Sequence, residues 1–161
     1  MRAAGRAAIV ASMENEPVVM PAILLSDGAI REHGTGKVSY IGCFAQWNAH
    51  RFPFQAPPFF ITPIVANLRR GGDAVSAVIR IEKKGGLIVW SSEGRVTLPP
   101  HELPEGLTIE LPTPALGVVF PEPNLYTISV LIEGDTIGRR DFFVRAVAAP
   151  PQPPAPGAPA A

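Results

Sequence analysis

A chain of 161 residues with 47% apolar side chains is long enough to bury a core of its own, which excludes a disordered polymer and a domain that depends on staples. Its 14 Lys and Arg balance 14 Asp and Glu, and this zero net charge argues against the basic face of a duplex nucleic-acid binder. The single cysteine, Cys43, excludes an internal disulfide framework, and no stretch reaches the ~20 apolar residues of a membrane helix.

Residues 1–19 carry two arginines and the run Ala7–Ala11, which is shorter than the roughly 7–15 residue core of a secretory signal. Glu14 and Glu16 follow it. The segment reads as a flexible N-terminal extension and the protein as cytoplasmic.

From there, 19 prolines and 15 glycines cut the chain into short β-type runs and leave no long helical pattern. Residues 22–31 form the first run, and Gly34-Thr35-Gly36 turns it. Residues 37–44 return with Val38, Tyr40 and Phe44 on one face. Cys43 sits in the apolar Ile41-Gly42-Cys43-Phe44 and reads as a small buried hydrophobe. Residues 59–68 contain Pro63, which cannot donate to a ladder, so this run is expected at a sheet edge or with a bulge.

After Gly71-Gly72, Val75, Ala77, Ile79 and Ile81 alternate with Ser76, Val78, Arg80 and Glu82. Lys83–Gly86 turns this run into Leu87–Trp90 as a hairpin. Residues 99–106 read as a loop. Leu107, Ile109 and Leu111 alternate next. Pro121–Asn124 then turns into Tyr126, Ile128, Val130 and Ile132. Gly134-Asp135 is a two-residue hairpin signal. The return strand, Ile137–Arg145, has Phe143 as its main packing residue, joined by Phe142. From Ala146 the composition turns to Pro and Ala, and 147–161 reads as a disordered tail.

These runs predict an all-β domain over 20–146: an immunoglobulin-like β-sandwich of seven to eight antiparallel strands. The run Met20–Glu32, the segment Gly34–Phe44, Arg51-Phe52-Pro53, and Phe120–Pro123 with Tyr126 together resemble a family of small bacterial proteins of unknown function. The resemblance spans about residues 20–145. It implies a β-sandwich fold and no known activity or site. Over 107–145 the turn into Tyr126 and the tight hairpin after it also resemble immunoglobulin-like domains, without their cysteine pair and buried tryptophan.

Chemical motifs are scarce. Gly36-Lys37 is not a phosphate-binding loop, because Arg31 and Val38 stand where that motif needs Gly and Ser or Thr. His33, His50 and His101 lack zinc-ligand spacing, so no metal and no cofactor is expected. Asp27, in Ser26-Asp27-Gly28, interrupts an apolar strand and reads as a bulge. The serines fall in β runs, where alternation explains them.

The best binding candidate is the aromatic loop at about 45–58, within a stretch from Phe44 to Phe60. Its aromatics are interleaved with Asn48, His50, Arg51 and Gln55 and stiffened by Pro53, Pro57 and Pro58. Aromatics beside arginine on a stiff loop are what binding hot spots use. Phe52 and Phe54 read as inward-facing, which leaves Trp47, His50 and Arg51 as the nominated binding residues. The plainer reading is a crossover loop folding its aromatics into the end of the core. The expected function is therefore a non-catalytic interaction module with another protein as partner, and neither nucleic acid nor membrane. One alternative is a small-substrate enzyme with His50, Asp27 or His101 converging as titrating groups. Another is a structural subunit of a larger assembly, offering an edge strand such as 59–68 for strand addition.

Overall fold

A computed structural model of the protein describes residues 19–68, 74–97 and 107–149. The extension at 1–18, the loop at 99–106 and the tail from 150 lie outside them. The described chain is all-β, with twelve strands and no helix among the described residues.

Two five-stranded sheets carry the fold. The first is built from β1 (Val19–Arg31), β2 (Val38–Cys43), β5 (Phe59–Leu68), β8 (Leu107–Glu110) and β9 (Thr113–Ala115). Its order is β2-β1-β5-β8, with β9 also on β5. The second runs β3-β12-β11-β6-β7. Its strands are β3 (Gln46–Ala49), β6 (Ala74–Lys83), β7 (Ile88–Thr97), β11 (Asn124–Ile132) and β12 (Asp135–Ala146). A short ribbon pairs β4 (Phe54–Gln55) with β10 (Val119–Phe120).

Period-2 alternation decides which face goes inward. On β6, Val75, Ala77, Ile79 and Ile81 are buried while Ser76, Val78, Arg80 and Glu82 stay half-exposed. Opposite them, Ile23, Leu25, Phe59 and Ile61 of the first sheet join Ile79, Ile81, Tyr126, Ile128 and Phe142 of the second in one apolar cluster. Each large side chain buried there contributes about 1.5–3 kcal/mol of transfer free energy. Arg140 shares the inward parity of Phe142 and Val144. Its guanidinium donates to the carbonyls of Ile23 and Phe44 and so ties the last strand to the first sheet.

The count of seven to eight strands is corrected to twelve. The additional strands are pieces of two to four residues, too short for periodicity to register. Nor is every pairing antiparallel, because β3 runs parallel to β12. The immunoglobulin-like strand plan is not carried by this arrangement.

Pro63 was expected at an edge or with a bulge; β5 is no edge, since it is paired on both sides, with β1 and with β8 and β9, and its register against β8 shifts between Val65 and Leu68. The carbonyl of Pro63 accepts from the Leu111 amide at 3.1 Å, so its missing N–H would point the same way. That is the gap where the partner changes from β9, paired up to Ile61, to β8, paired from Ile64. No ladder bond to β1 is lost, and β5 offers no free edge for strand addition.

Asp27 is not at a bulge. The register runs from Ser26–Cys43 to Gly28–Ile41 without insertion, which sets Asp27 against Gly42. Gly42 has φ of 64°, and a Cβ there would lie 2.2 Å from Asp27 Oδ2. Cys43 shares the odd parity of exposed Ser39 and Ile41 on β2, an edge strand, and is therefore exposed, against the expectation of burial.

The hairpin between β11 and β12 turns on Glu133-Gly134, one residue earlier than Gly134-Asp135. Both have positive φ, 50° and 91°, which makes it a type I′ turn. Glu133 holds that conformation with its carboxylate on the Ser76 amide and its own amide on the Ser76 carbonyl.

The first sheet is strongly curled. Burial first, and then the Glu110 charge on β8, pushes the Tyr40 hydroxyl on β2 above its ordinary pKa, although these strands stand at opposite ends of the sheet order. Ser26 and Thr62 face away from the shared core by parity, yet both are fully buried inside this curl.

At the start of β11, the buried Tyr126 donates its hydroxyl to the Glu122 carbonyl at 2.8 Å, pinning the Pro121–Asn124 turn to the strand. Such a tyrosine corner recurs in sandwich folds. Replacing Tyr126 by phenylalanine is expected to cost about 1 kcal/mol, the worth of one hydrogen bond with packing retained. Denaturant unfolding would read the shift, and an unchanged midpoint would show that the turn needs no such pin.

Candidate functional site

The site is assembled where the chain's last strand meets β3. On β12, Phe142 and Val144 point into the core, so Asp141, Phe143 and Arg145 point out. Phe143 is 46% exposed, and the Arg145 guanidinium sits 5.0 Å from its ring centroid. The expectation that Phe143 packs inside is therefore corrected, and Phe142 takes that role. Three consecutive polar residues, Arg139-Arg140-Asp141, give the alternation no phase from which to tell the two phenylalanines apart.

On one side of this pair runs β3, with Gln46 opposite Phe143 and Asn48 opposite Arg145. On the other side lies Leu125, opposite Phe143 on β11. Leu125, Phe143 and Arg145, together with Lys84, Pro123 and Asn124, line a depression of about 680 Å³. Its floor is apolar, and its cations are Lys84 and Arg145. Neither forms an ion pair among the described residues, whereas neighbouring Lys83 is taken by Glu122 at 2.8 Å. Hydrogen bonds from Lys83 and Asn124, then the Lys83 charge, hold the Glu122 carboxyl below its ordinary pKa.

Of the three nominated binding residues, two flank this surface. His50 is exposed, with Nδ1 3.4 Å from the Val147 carbonyl oxygen, and Arg51 follows it, also exposed. They continue the β3–β12 seam, where the Val147 amide donates to the Ala49 carbonyl at 3.0 Å. Trp47 turns the other way. Its ring lies 4.6 Å from that of Phe44, 5.7 Å from Phe59 and 5.8 Å from Phe54. Its indole nitrogen is buried without a hydrogen-bond partner among the described residues. Phe44, Phe52 and Phe54 pack against the same core, so the aromatic loop closes the end of the fold, as the plainer reading expects.

The titrating groups of the enzyme alternative sit on different elements. Asp27 is exposed on β1 of the first sheet, His50 follows β3 of the second, and His101 lies outside the described residues. Among the described residues, no group of three His, Cys, Asp or Glu is placed to hold a metal ion. No helix among them is long and apolar enough to cross a membrane.

Fold and surface together define an all-β protein that displays an aromatic–cation pair beside an apolar depression. By sequence the chain belongs to DUF6941, a family of unknown function, which matches residues 21–145. No curated protein matches it. A solved structure similar to it is that of a Pseudomonas fluorescens alkylpurine DNA glycosylase, AlkC, bound to DNA containing an abasic site analog. That likeness has 12% identity and a TM-score of 0.45, and it covers 80% of this chain and 30% of that one. The chain thus spans about 30% of that protein's length.

The expectation that excluded a nucleic-acid partner is corrected, because the balanced charge it rested on does not exclude one. The physical reason is that a zero total charge says nothing of where charges lie, and Lys84 and Arg145 share one surface. At this TM-score the likeness assigns no partner of its own.

Proposed function

We propose that the protein is a non-catalytic binding module that recognises an acidic, apolar segment of another protein on the Phe143–Arg145 surface. The observation that supports this reading is Arg145 stacked over a half-exposed Phe143 beside Lys84 and an apolar floor. A large aromatic left in water is a standing gain for whatever covers it, and Arg and aromatic anchors dominate interface energies. Lys84 and Arg145, which form no ion pair among the described residues, attract carboxylates, and Pro123 and Leu125 accept apolar side chains. His50 and Arg51 extend the cationic rim along the seam. Trp47 supports the surface from behind, since it pairs in register with Val144.

The test uses fluorescent decapeptides in which acidic and apolar residues are varied, titrated against the whole chain. Peptides combining both characters are expected to bind. Phe143→Ala and Arg145→Glu are each expected to weaken them at least roughly tenfold, with the melting midpoint held because both side chains are exposed. Peptide binding that survives both substitutions would overturn the proposal. So would an oligonucleotide that binds more tightly than any peptide and is lost with the same variants.

A further inference from the structure

The second sheet ends in a long open edge. β7 spans ten residues, Ile88–Thr97, and pairs with β6 from Ala74–Thr97 to Glu82–Ile88. Among the described residues nothing pairs with its other side. Such an edge is a template for another strand, and proteins usually blunt it with proline, bulges or charge. β7 contains no proline, its one register shift falls at Val89 near its start, and its charges are Glu93 and Arg95, set on either side of Gly94.

Among the described residues nothing explains Gly94. It sits mid-strand opposite Ala77, its φ is not in the left-handed region, and a Cβ built on it would meet nothing within 4 Å. Glycine weakens a strand interior, and where it stands there it often marks the close approach of another backbone.

We propose that β7 pairs antiparallel with β7 of a second copy, across a twofold axis at Gly94. A twofold through this residue sets Glu93 against Arg95 of the second copy, and Arg95 against its Glu93. Ser91 then meets Thr97, and Ser92 meets Val96. Glu93 and Arg95 oppose Val78 and Ser76 on β6, so both lie on the sheet's outer face, where cross-strand charge pairs form. Moving the axis by one residue either way sets Glu93 against Glu93 or Arg95 against Arg95. The charge pattern therefore selects one register and one occupant, a copy of the same chain, in the isologous arrangement usual for dimers. The two five-stranded sheets become one continuous sheet of twice that width. This surface is separate from the Phe143–Arg145 depression, and each can hold without the other.

Sedimentation of the purified chain tests the pairing. The protein is expected to dimerise. Glu93→Arg sets like charges together at both symmetry-related positions and is expected to raise the dimer dissociation constant at least roughly tenfold. Arg95→Glu is expected to do the same. The double exchange Glu93→Arg with Arg95→Glu restores opposite charges and is expected to return the constant to near its original value. Circular dichroism of each variant confirms that the β fold is kept, and the rescue separates lost pairing from lost folding. A wild-type chain that stays monomeric into the millimolar range overturns the proposal. So does a dimer indifferent to charge reversal, or one that the double exchange fails to restore.

Discussion

Gly42→Ala is expected to destabilise the fold by about 2–4 kcal/mol, out of all proportion to one exposed methyl group. Two costs combine. A left-handed backbone in an L-residue costs about 1–2 kcal/mol. The new Cβ would also stand 2.9 Å from Asp27 Cγ and 3.1 Å from its Cβ, so the Asp27 carboxylate must swing away and its Cβ give by a few tenths of an ångström. The two parts separate in a double-mutant cycle. In an Asp27→Ala background the carboxylate is gone, and the glycine substitution should cost only about 1–2 kcal/mol, the backbone part. Urea unfolding of the four proteins gives the coupling. Equal costs in both backgrounds would show that the close approach of Asp27 is irrelevant.

Trp47→Ala is expected to cost about 2–4 kcal/mol, because its ring bridges Phe44, Phe54 and Phe59 at the end of the core. His50→Ala and Arg51→Ala, exposed on the same stretch, should each stay within about 0.5 kcal/mol of the parent. Trp47→Phe keeps most of the packing and removes an indole N–H that is buried without a partner, so it should cost under about 1.5 kcal/mol. Thermal melts rank the four variants directly. A Trp47→Ala protein that melts with the parent would return Trp47 to the surface as a contact residue.

What could be read in the sequence depended on the length of each periodic run. The span 59–68 is β5 to the residue, and the alternation from Val75 to Glu82 is the observed burial of β6. The alternation from Tyr126 to Ile132 likewise marks β11 and its buried face. The short strands β3, β4, β9 and β10 carry two to four residues each, too few to show a period; β3 and β9 form on the edges of β12 and β5, and β4 and β10 on each other. The position of Pro63 followed the right rule, that proline leaves no ladder bond to give. It missed that an interior strand satisfies the same rule where its partner is split.

The candidate surface was half legible. His50 and Arg51 were nominated as polar neighbours of aromatics on a stiff loop, and they lie on its border. Trp47 was nominated for size, and its parity on β3 turns it inward between exposed Gln46 and Asn48. Phe143 and Arg145 went unread because their phase depends on Phe142 facing Tyr126 across the ladder, a tertiary fact. Cys43 was misplaced for a related reason. An apolar run ordinarily means burial, but Cys43 falls with Ser39 and Ile41 on the outward parity of β2 while Phe44 takes the inward one.

The parallel pairing of β3 with β12 joins parts of the chain that are far apart: His50 and Val147 meet across 97 positions. Contacts of such separation carry a high loop-closure cost and form late in folding. A ribosome must therefore release nearly the whole domain before the Phe143–Arg145 surface exists. A nascent or C-terminally clipped chain would carry Gln46 and Asn48 without the ring they flank, so the proposed recognition is confined to finished molecules.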